Sequence, residues 1–162
     1  MSSIEIIEAE LNLAKHQRDV LAMVDAYAQD PMGNGRPLSP EVREALIPAL
    51  KNHPTTLIFL AYEGDAPCGV AVCFLGFSTF AAKPLVNIHD LAVLTSHRGR
   101  GVGRMLLEGV EKKALELGCC KLTLEVQANN HPAQGLYQSV GFAQAEYTET
   151  AGAALFYAKP LG

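Results

Sequence analysis

Between Leu91 and Gly103 the chain reads LAVLTSHRGRGVG, a strand that runs into a glycine-rich loop and then a helix. No other stretch constrains the fold as strongly. Val86 to Leu94 is a short apolar run rich in Val, Ile and Leu, the pattern of a buried strand. Thr95, Ser96 and His97 lead into Arg98-Gly99-Arg100-Gly101-Val102-Gly103, and an amphipathic helix begins at once. Alternating glycines keep side-chain bulk out of the loop, so its backbone N–H groups stay open to a ligand. The first helical turn adds unpaired N–H groups and the positive end of the helix dipole. Such a place binds phosphates, and Arg98, Arg100 and Arg104 supply cationic donors. The residues predict a pyrophosphate or similar polyanion here.

The remaining segments predict an α/β fold around that strand. Ile4 to Glu10 reads as a first strand, and Ala14 to Gln29 as a helix with Val20, Leu21, Val24 and Ala28 at helical spacing. Asp30 to Pro37, with two glycines and two prolines, is a loop. Ser39-Pro40 caps a second helix, whose expected buried face is Val42, Leu46, Ala49 and Leu50, with a distortion at Pro48. Thr55–Tyr62 and Cys68–Phe77 form a hairpin about Glu63-Gly64-Asp65. After the glycine loop a helix from about Val102 to Leu117 sets Val102, Leu106, Val110 and Leu117 on one side, and Gly118 closes it. A strand over Cys119–Gln127, a helix over Pro132–Val140 and a terminal hairpin of Phe142–Thr148 with Ala153–Ala158 complete the order βααββ–βα–βα–ββ. That order predicts a mixed sheet of about seven strands with helices on both faces.

Composition narrows the function. At 162 residues the chain is expected to form one domain, 1–162. A net charge of −4 argues against nucleic acid as a partner. The N-terminus lacks the basic start and apolar core of a signal peptide, and no apolar run is long enough to span a membrane, so a cytoplasmic location is expected. Cys68, Cys73, Cys119 and Cys120 form no C-x-x-C pair and read as reduced thiols. The histidines show no metal-ligand spacing, so no metal is expected.

Three ligands compete for the glycine loop. A P-loop ends in G-K-[ST], whereas this loop ends in Gly103-Arg104. A dinucleotide or S-adenosylmethionine site gains support from Glu125 downstream. Against it, 98 residues precede Gly99, only 59 follow Gly103, and G-x-G-x-x-G is not met.

The third reading is a family resemblance. Arg98, Gly101 and Gly103 fit R/Q-x-x-G-x-G/A, and the segment resembles the acetyl-CoA-binding stretch of the GNAT superfamily of N-acetyltransferases. Asn130, Ala133, Leu136, Tyr137, Gly141 and Phe142 resemble that family's second signature, N-x-x-A-x-x-(F/L)-Y-x-x-x-G-F. The two signatures match in order and spacing across Val86 to Phe142, and the preceding βααββ order is also the family's. The resemblance implies a mostly antiparallel sheet and transfer of an acetyl group from acetyl-CoA to a primary amine. It further implies a pantetheine arm lying along Leu91, Ala92 and Val93, with the Val93 N–H facing the developing oxyanion. The loop Arg98, Gly99, Arg100, Gly101, Val102, Gly103 and Arg104 would cradle the pyrophosphate, and Asn130 and Ala133 would line the far side of the channel. Tyr137 would be the general acid. His89, in the position where serotonin N-acetyltransferases carry a histidine, is the first candidate base, with Asp90 and Glu125 as alternatives. His89 and Asp90, being consecutive in a strand, are expected to point to opposite faces.

The acceptor is not fixed by these residues. Phe77-Ser78-Thr79-Phe80 resembles a stretch of spermidine and thialysine acetyltransferases, and Ile88-His89-Asp90-Leu91-Ala92-Val93 that of aminoglycoside 3-N-acetyltransferases. Pro31–Pro40 and Ser78–Pro84 are expected to contact the acceptor, a small polyamine-, amino acid- or aminoglycoside-like amine. Protein N-termini or lysines are alternative acceptors, and an acyl-CoA-binding regulatory module is an alternative function. The resemblance also implies a homodimer.

Overall fold

The structure is a computed structural model that describes residues 3–146 and 148–162. Five strands form one sheet in sequence order: β1 (Ile4–Glu8), β2 (Thr56–Glu63), β3 (Ala66–Ser78), β4 (Lys83–Val93) and β5 (Leu122–Leu124). The first three pairings are antiparallel, and β5 joins β4 in parallel. Four helices cover the sheet: α1 (Ala14–Gln29), α2 (Pro40–Asn52), α3 (Val102–Glu116) and α4 (His131–Ser139).

Strands β2 and β3 are buried on both faces, which is why TLIFLAYE is apolar throughout instead of alternating. On one face Leu57, Phe59, Ala71, Cys73, Val86 and Ile88 pack with Val102, Leu106 and Val110 of α3 and Tyr137 of α4. On the other, Ile58, Leu60, Val70 and Val72 meet Val20 and Met23 of α1 and Ile47 and Leu50 of α2. Leu106 and Leu60 are fully buried, and truncating either to Ala costs about 2–5 kcal/mol.

The start of α2 follows its sequence signal, and α4 has a side-chain cap as well. Ser39 Oγ accepts the Val42 N–H at 3.3 Å with Pro40 in the first turn, and Asn130 Oδ1 accepts the Ala133 N–H at 3.3 Å. Helix faces are less well foretold. The stripe of α1 runs through Val20 and Met23, and α2 buries Ile47 and Leu50 while Val42 and Ala49 are exposed. Only the C-terminal half of α2 reaches the sheet, and the helix continues past Pro48 to Asn52. Leu117 is exposed as well, because α3 ends at Glu116 and Gly118 turns the chain at φ 74°.

The terminal hairpin is the main departure. Glu146 and Ala153 form an isolated antiparallel bridge, supported by Ala154 N–H donating to Ala145 C=O at 3.1 Å, and among the described residues no ladder extends it. The expected strand Phe142–Thr148 includes Tyr147, which lies outside the described residues. Leu155, Phe156 and Tyr157 are consecutive rather than alternating and all are exposed, so the segment offers no single apolar face to fix a register. The strand expected over Cys119–Gln127 is likewise reduced to Leu122–Leu124.

Candidate active site

Strand β4 is paired on both edges only through its first half. Val86, Asn87 and Ile88 match Leu122, Thr123 and Leu124, after which β5 ends and the two strands part. The register with β3 jumps at the same place: Cys73 opposes Ile88 and Val72 opposes Asp90, leaving His89 as the extra residue of a β-bulge. A bulge bends its strand and sharpens its twist. Beyond it, Leu94 N–H donates to the Cys68 carbonyl at 2.9 Å. Backbone groups alternate along a strand, so Leu91 and Val93 turn their peptide groups the other way, into the gap that β5 has left.

That gap is the mouth of a cleft of about 1260 Å³. Leu91, Ala92 and Val93 form one wall, and the glycine loop closes one end through Arg98, Gly99, Gly101, Val102, Gly103 and Arg104. Asn130, Ala133 and Tyr137 of α4 and its cap form the opposite wall. His89 and Glu125 also line the cleft. Gly99 and Gly101 have φ of 76° and 81°, where a side chain would be strained. A Cβ on Gly103 would come within 2.8 Å of Leu136 Cδ2, so α3 and α4 meet closely there. The loop's glycines therefore serve two purposes, backbone reversal and close approach.

The arginines of the loop depart from the expectation of a bare cationic patch. Arg98 Nη2 donates to Asp30 Oδ2 at 2.6 Å and its Nε to the Val93 carbonyl at 3.1 Å. Arg100 points away from the cleft and bonds Glu63 at 2.7 Å, where His97 Nε2 also meets Glu63 at 2.8 Å. Arg100 and His97 together hold the Glu63 carboxyl down at about 2. Arg104 donates to Ser139 Oγ, a neutral partner, at 2.9 Å. The donors that this loop leaves open are thus chiefly main-chain N–H groups at the start of α3.

His89 and Asp90 do not point to opposite faces, because the bulge breaks the alternation. The His89 ring packs edge-on against Phe74 at 5.6 Å, on the α1–α2 side, and Asp90 opposes Val72, which belongs to the core of that side. Burial raises the Asp90 carboxyl above its ordinary value, and His89 partly opposes this. Asp90 does not itself line the cleft. Tyr137 is 9% exposed, and burial pushes its phenol up to about 12, with a smaller push from Tyr27. The ring is set by an edge contact with Phe142 at 5.9 Å.

Tyr27 and Asp30 are among the cleft residues that escaped the sequence reading. Tyr27 sits one α1 stripe position beyond Val20 and Met23, and its phenol is raised by burial and by the charges of Asp90 and Asp30. Asp30 caps the end of α1, and Arg98 draws its carboxyl below the ordinary value. The i, i+3, i+7 spacing of Val20, Met23 and Tyr27 was the available signal. Pro31 and Met32 do reach the cleft as expected, whereas no residue of Ser78–Pro84 lines it. That segment is the β3–β4 turn. It stands eight residues up the strand from Leu91, about 26 Å at ~3.3 Å per residue.

Among the described residues, no helix is long and apolar enough to cross a membrane and no group of three His, Cys, Asp or Glu side chains is placed to hold a metal ion. The sheet parts beside a glycine loop, and along the gap the Val93 carbonyl meets the Arg98 side chain in place of a neighbouring strand. The acetyltransferase (GNAT) family matches residues 20–142, and the chain belongs to that family. Over 90 residues it is 32% identical to the N-alpha-acetyltransferase MAK3 of Arabidopsis thaliana, covering 56% of this chain and 46% of the relative. Over 81 residues it is 33% identical to the thialysine N-epsilon-acetyltransferase of Bos taurus, covering 49% and 47%. The matches thus span about half the length of these curated relatives. Among solved structures, the aminoglycoside N-acetyltransferase AAC(6')-Iy in complex with CoA has a similar fold, with a TM-score of 0.76 at 18% identity over 99% of this chain and 97% of that one.

Proposed function

We propose that residues 1–162 act as one cytoplasmic acetyltransferase domain that moves an acetyl group from acetyl-CoA to a primary amine of a small cationic molecule. The observation that carries this reading is the gap after Ile88, where the Leu91 and Val93 peptide groups face the cleft between the glycine loop and Tyr137. An extended amide-bearing arm can pair with that edge as a missing strand would, and a diphosphate can take the N–H groups at the start of α3. Acetyl-CoA supplies an activated thioester to this frame. The family match and the named acetyltransferase activities of the relatives support the same reading.

In this reading the Val93 N–H stabilises negative charge on the carbonyl oxygen under attack. Tyr137 acts as the general acid toward the departing sulfur. Its raised phenol stays protonated across the neutral range, the form that a donor must have. His89, which lines the cleft, takes the proton of the attacking amine. Glu125 and Asp30 give the acceptor end of the cleft the negative charge that suits an ammonium group. The exposed Leu155, Phe156 and Tyr157, together with the outer edge of β5, support a homodimer. The four free thiols suit the reducing cytoplasm.

Thermal unfolding in parallel wells with acetyl-CoA, NADH or S-adenosylmethionine tests the cofactor assignment, since a ligand of the native state raises its stability. A shift with acetyl-CoA alone is expected, followed by free-thiol release with amines. A shift with either other ligand and none with acetyl-CoA would return the loop to the nucleotide class. Release with peptide N-termini but with no small amine would move the acceptor to protein.

A further inference from the structure

We infer that Asp30 is an acceptor-positioning residue whose charge is masked by Arg98 until the cofactor binds, so that acetyl-CoA binding itself switches on the amine site. The inference rests on the acetyl-CoA reading above and adds to it an order of events and a residue responsible for that order.

The Arg98 guanidinium stands between two sites. Its Nε lies on the Val93 carbonyl, on the strand edge that the cofactor arm would use, and its Nη2 holds Asp30 Oδ2. Both residues line the same cleft. While these contacts persist, the guanidinium lies across the edge of β4 and Asp30 presents no net charge to an incoming ammonium. An arm pairing with Val93 must displace Nε. The anionic end of the same ligand then offers the guanidinium phosphate oxygens, with which arginine pairs at least as well as with a carboxylate.

The other cations near the loop cannot take this part. Arg100, which does not line the cleft, is held on Glu63, a carboxylate that it shares with His97. Arg104 is paired to the neutral Ser139 hydroxyl, so recruiting it frees no carboxylate. Arg98 alone of the three links the anion loop to an acid of the acceptor end.

Asp30 would stay in place once released. Its Oδ1 accepts the Met32 N–H at 2.9 Å, and its carbonyl accepts the Gly33 N–H at 2.9 Å. The Ala28 carbonyl ties Asn34 and Arg36 to the same turn at 3.0 and 3.1 Å. Across the cleft, Gln127 Nε2 reaches the Met32 carbonyl at 3.3 Å. The carboxylate is therefore fixed by contacts independent of Arg98, with the Tyr27 ring beside it for the face of a cation. Coupling of this kind is reciprocal, so each ligand tightens the other.

Asp30→Asn separates this device from a structural role. The amide oxygen keeps the Met32 bond, while the amide NH₂ faces the Arg98 donors and opens the latch. Titration calorimetry with acetyl-CoA should show roughly two- to fivefold tighter binding by the variant, the worth of a half-exposed ion pair no longer competing. In the thiol-release assay the amine KM should rise and kcat should hold. A variant that binds acetyl-CoA no more tightly than the wild type would overturn the masking role, and an unchanged amine KM would overturn the positioning role. Absence of acetyl-CoA binding by the wild type would instead strike the cofactor reading itself, and the switch with it.

Discussion

The two halves of β4 differ little in composition and greatly in use. Before the bulge, Val86 and Ile88 are buried, and the backbone is paired to β3 on one edge and to β5 on the other. After it, Leu91 and Val93 still pack on the α3 core, yet their peptide groups have no strand beside them. The first half holds the sheet together. The second leaves backbone donors and acceptors exposed, a condition that folded proteins normally avoid. The proposed function uses the half where pairing stops, because a strand that lacks a neighbour can accept a ligand in its place.

The comparison should break most severely at Tyr137, whose ring packs in the core with Val86 and Ile88 and also lines the cleft. Tyr137→Phe removes the proposed proton donor and retains the ring that packs on Phe142. It should lower turnover by about 10²–10⁴-fold and leave acetyl-CoA affinity nearly unchanged, as steady-state kinetics beside calorimetry would reveal. Equal turnover in the variant would remove Tyr137 from the chemistry.

Deleting His89 tests the cause of the split. The β3 register already skips this residue, so its loss leaves Ile88 and Asp90 facing Cys73 and Val72 as before. Without the bulge β4 should straighten and its pairing with β5 extend toward Val93. Two cofactor hydrogen bonds of about 1 kcal/mol each would then be lost, roughly a thirtyfold rise in the acetyl-CoA dissociation constant. His89→Ala keeps the backbone and should keep that affinity, losing turnover instead. If both variants bind acetyl-CoA like the wild type, the bulge does not create the cleft.

The closed half was readable from sequence and the open half only in part. Strands β2 to β4, the cap at Ser39 and the glycine loop follow from local patterns of apolarity and turn chemistry. The bulge at His89 does not, because register is set by β3, a segment distant in sequence, and no local signal marks the extra residue. The same reason hid the pairing of Arg98 with Asp30 and of Arg100 with Glu63, contacts that span 68 and 37 positions. Alternation rules placed His89 and Asp90 on opposite faces and failed where the ladder between β3 and β4 skips a residue. The terminal hairpin failed for a different reason, since three consecutive apolar residues do not specify which face is inside.

A gentler probe is Gly101→Ala. Gly101 precedes α3 at φ 81°, in open space, so the added methyl meets nothing and only the backbone is strained. Left-handed backbone costs an alanine about 1–2 kcal/mol. If the loop relaxes out of that conformation its N–H groups turn from the ligand, and acetyl-CoA should bind up to about tenfold more weakly. The Tm should fall only slightly, because both core faces are untouched. A Tm loss without weaker binding would make the loop structural and shift the anion site elsewhere.

The smallest effect is expected at the anchored end of α1, opposite Tyr27. Asp19 is 6% exposed and accepts the Tyr62 hydroxyl at 2.6 Å and the Lys15 ammonium at 2.7 Å. Burial would raise its carboxyl, and the bonds from Lys15 and Tyr62 outweigh this, leaving it below the ordinary 3.8. A carboxyl that is more acidic folded than unfolded stabilises the fold above its unfolded value, and that stabilisation is lost as pH falls through the folded value. Glu63, held at about 2, behaves in the same sense, so acid unfolding should set in below about pH 4 and steepen toward 2. Asp19→Asn keeps an acceptor for Tyr62 and loses the charge that faces Lys15, whose side chain is 41% exposed. After allowance for solvent screening the cost should be about 1 kcal/mol at neutral pH. The difference from wild type should shrink as both are acidified, while acetyl-CoA affinity stays unchanged. A variant equally stable at pH 7, or one that loses cofactor affinity, would mean that the two ends of α1 are not the independent anchor and site that the network of Asp19 and the cleft at Tyr27 make them.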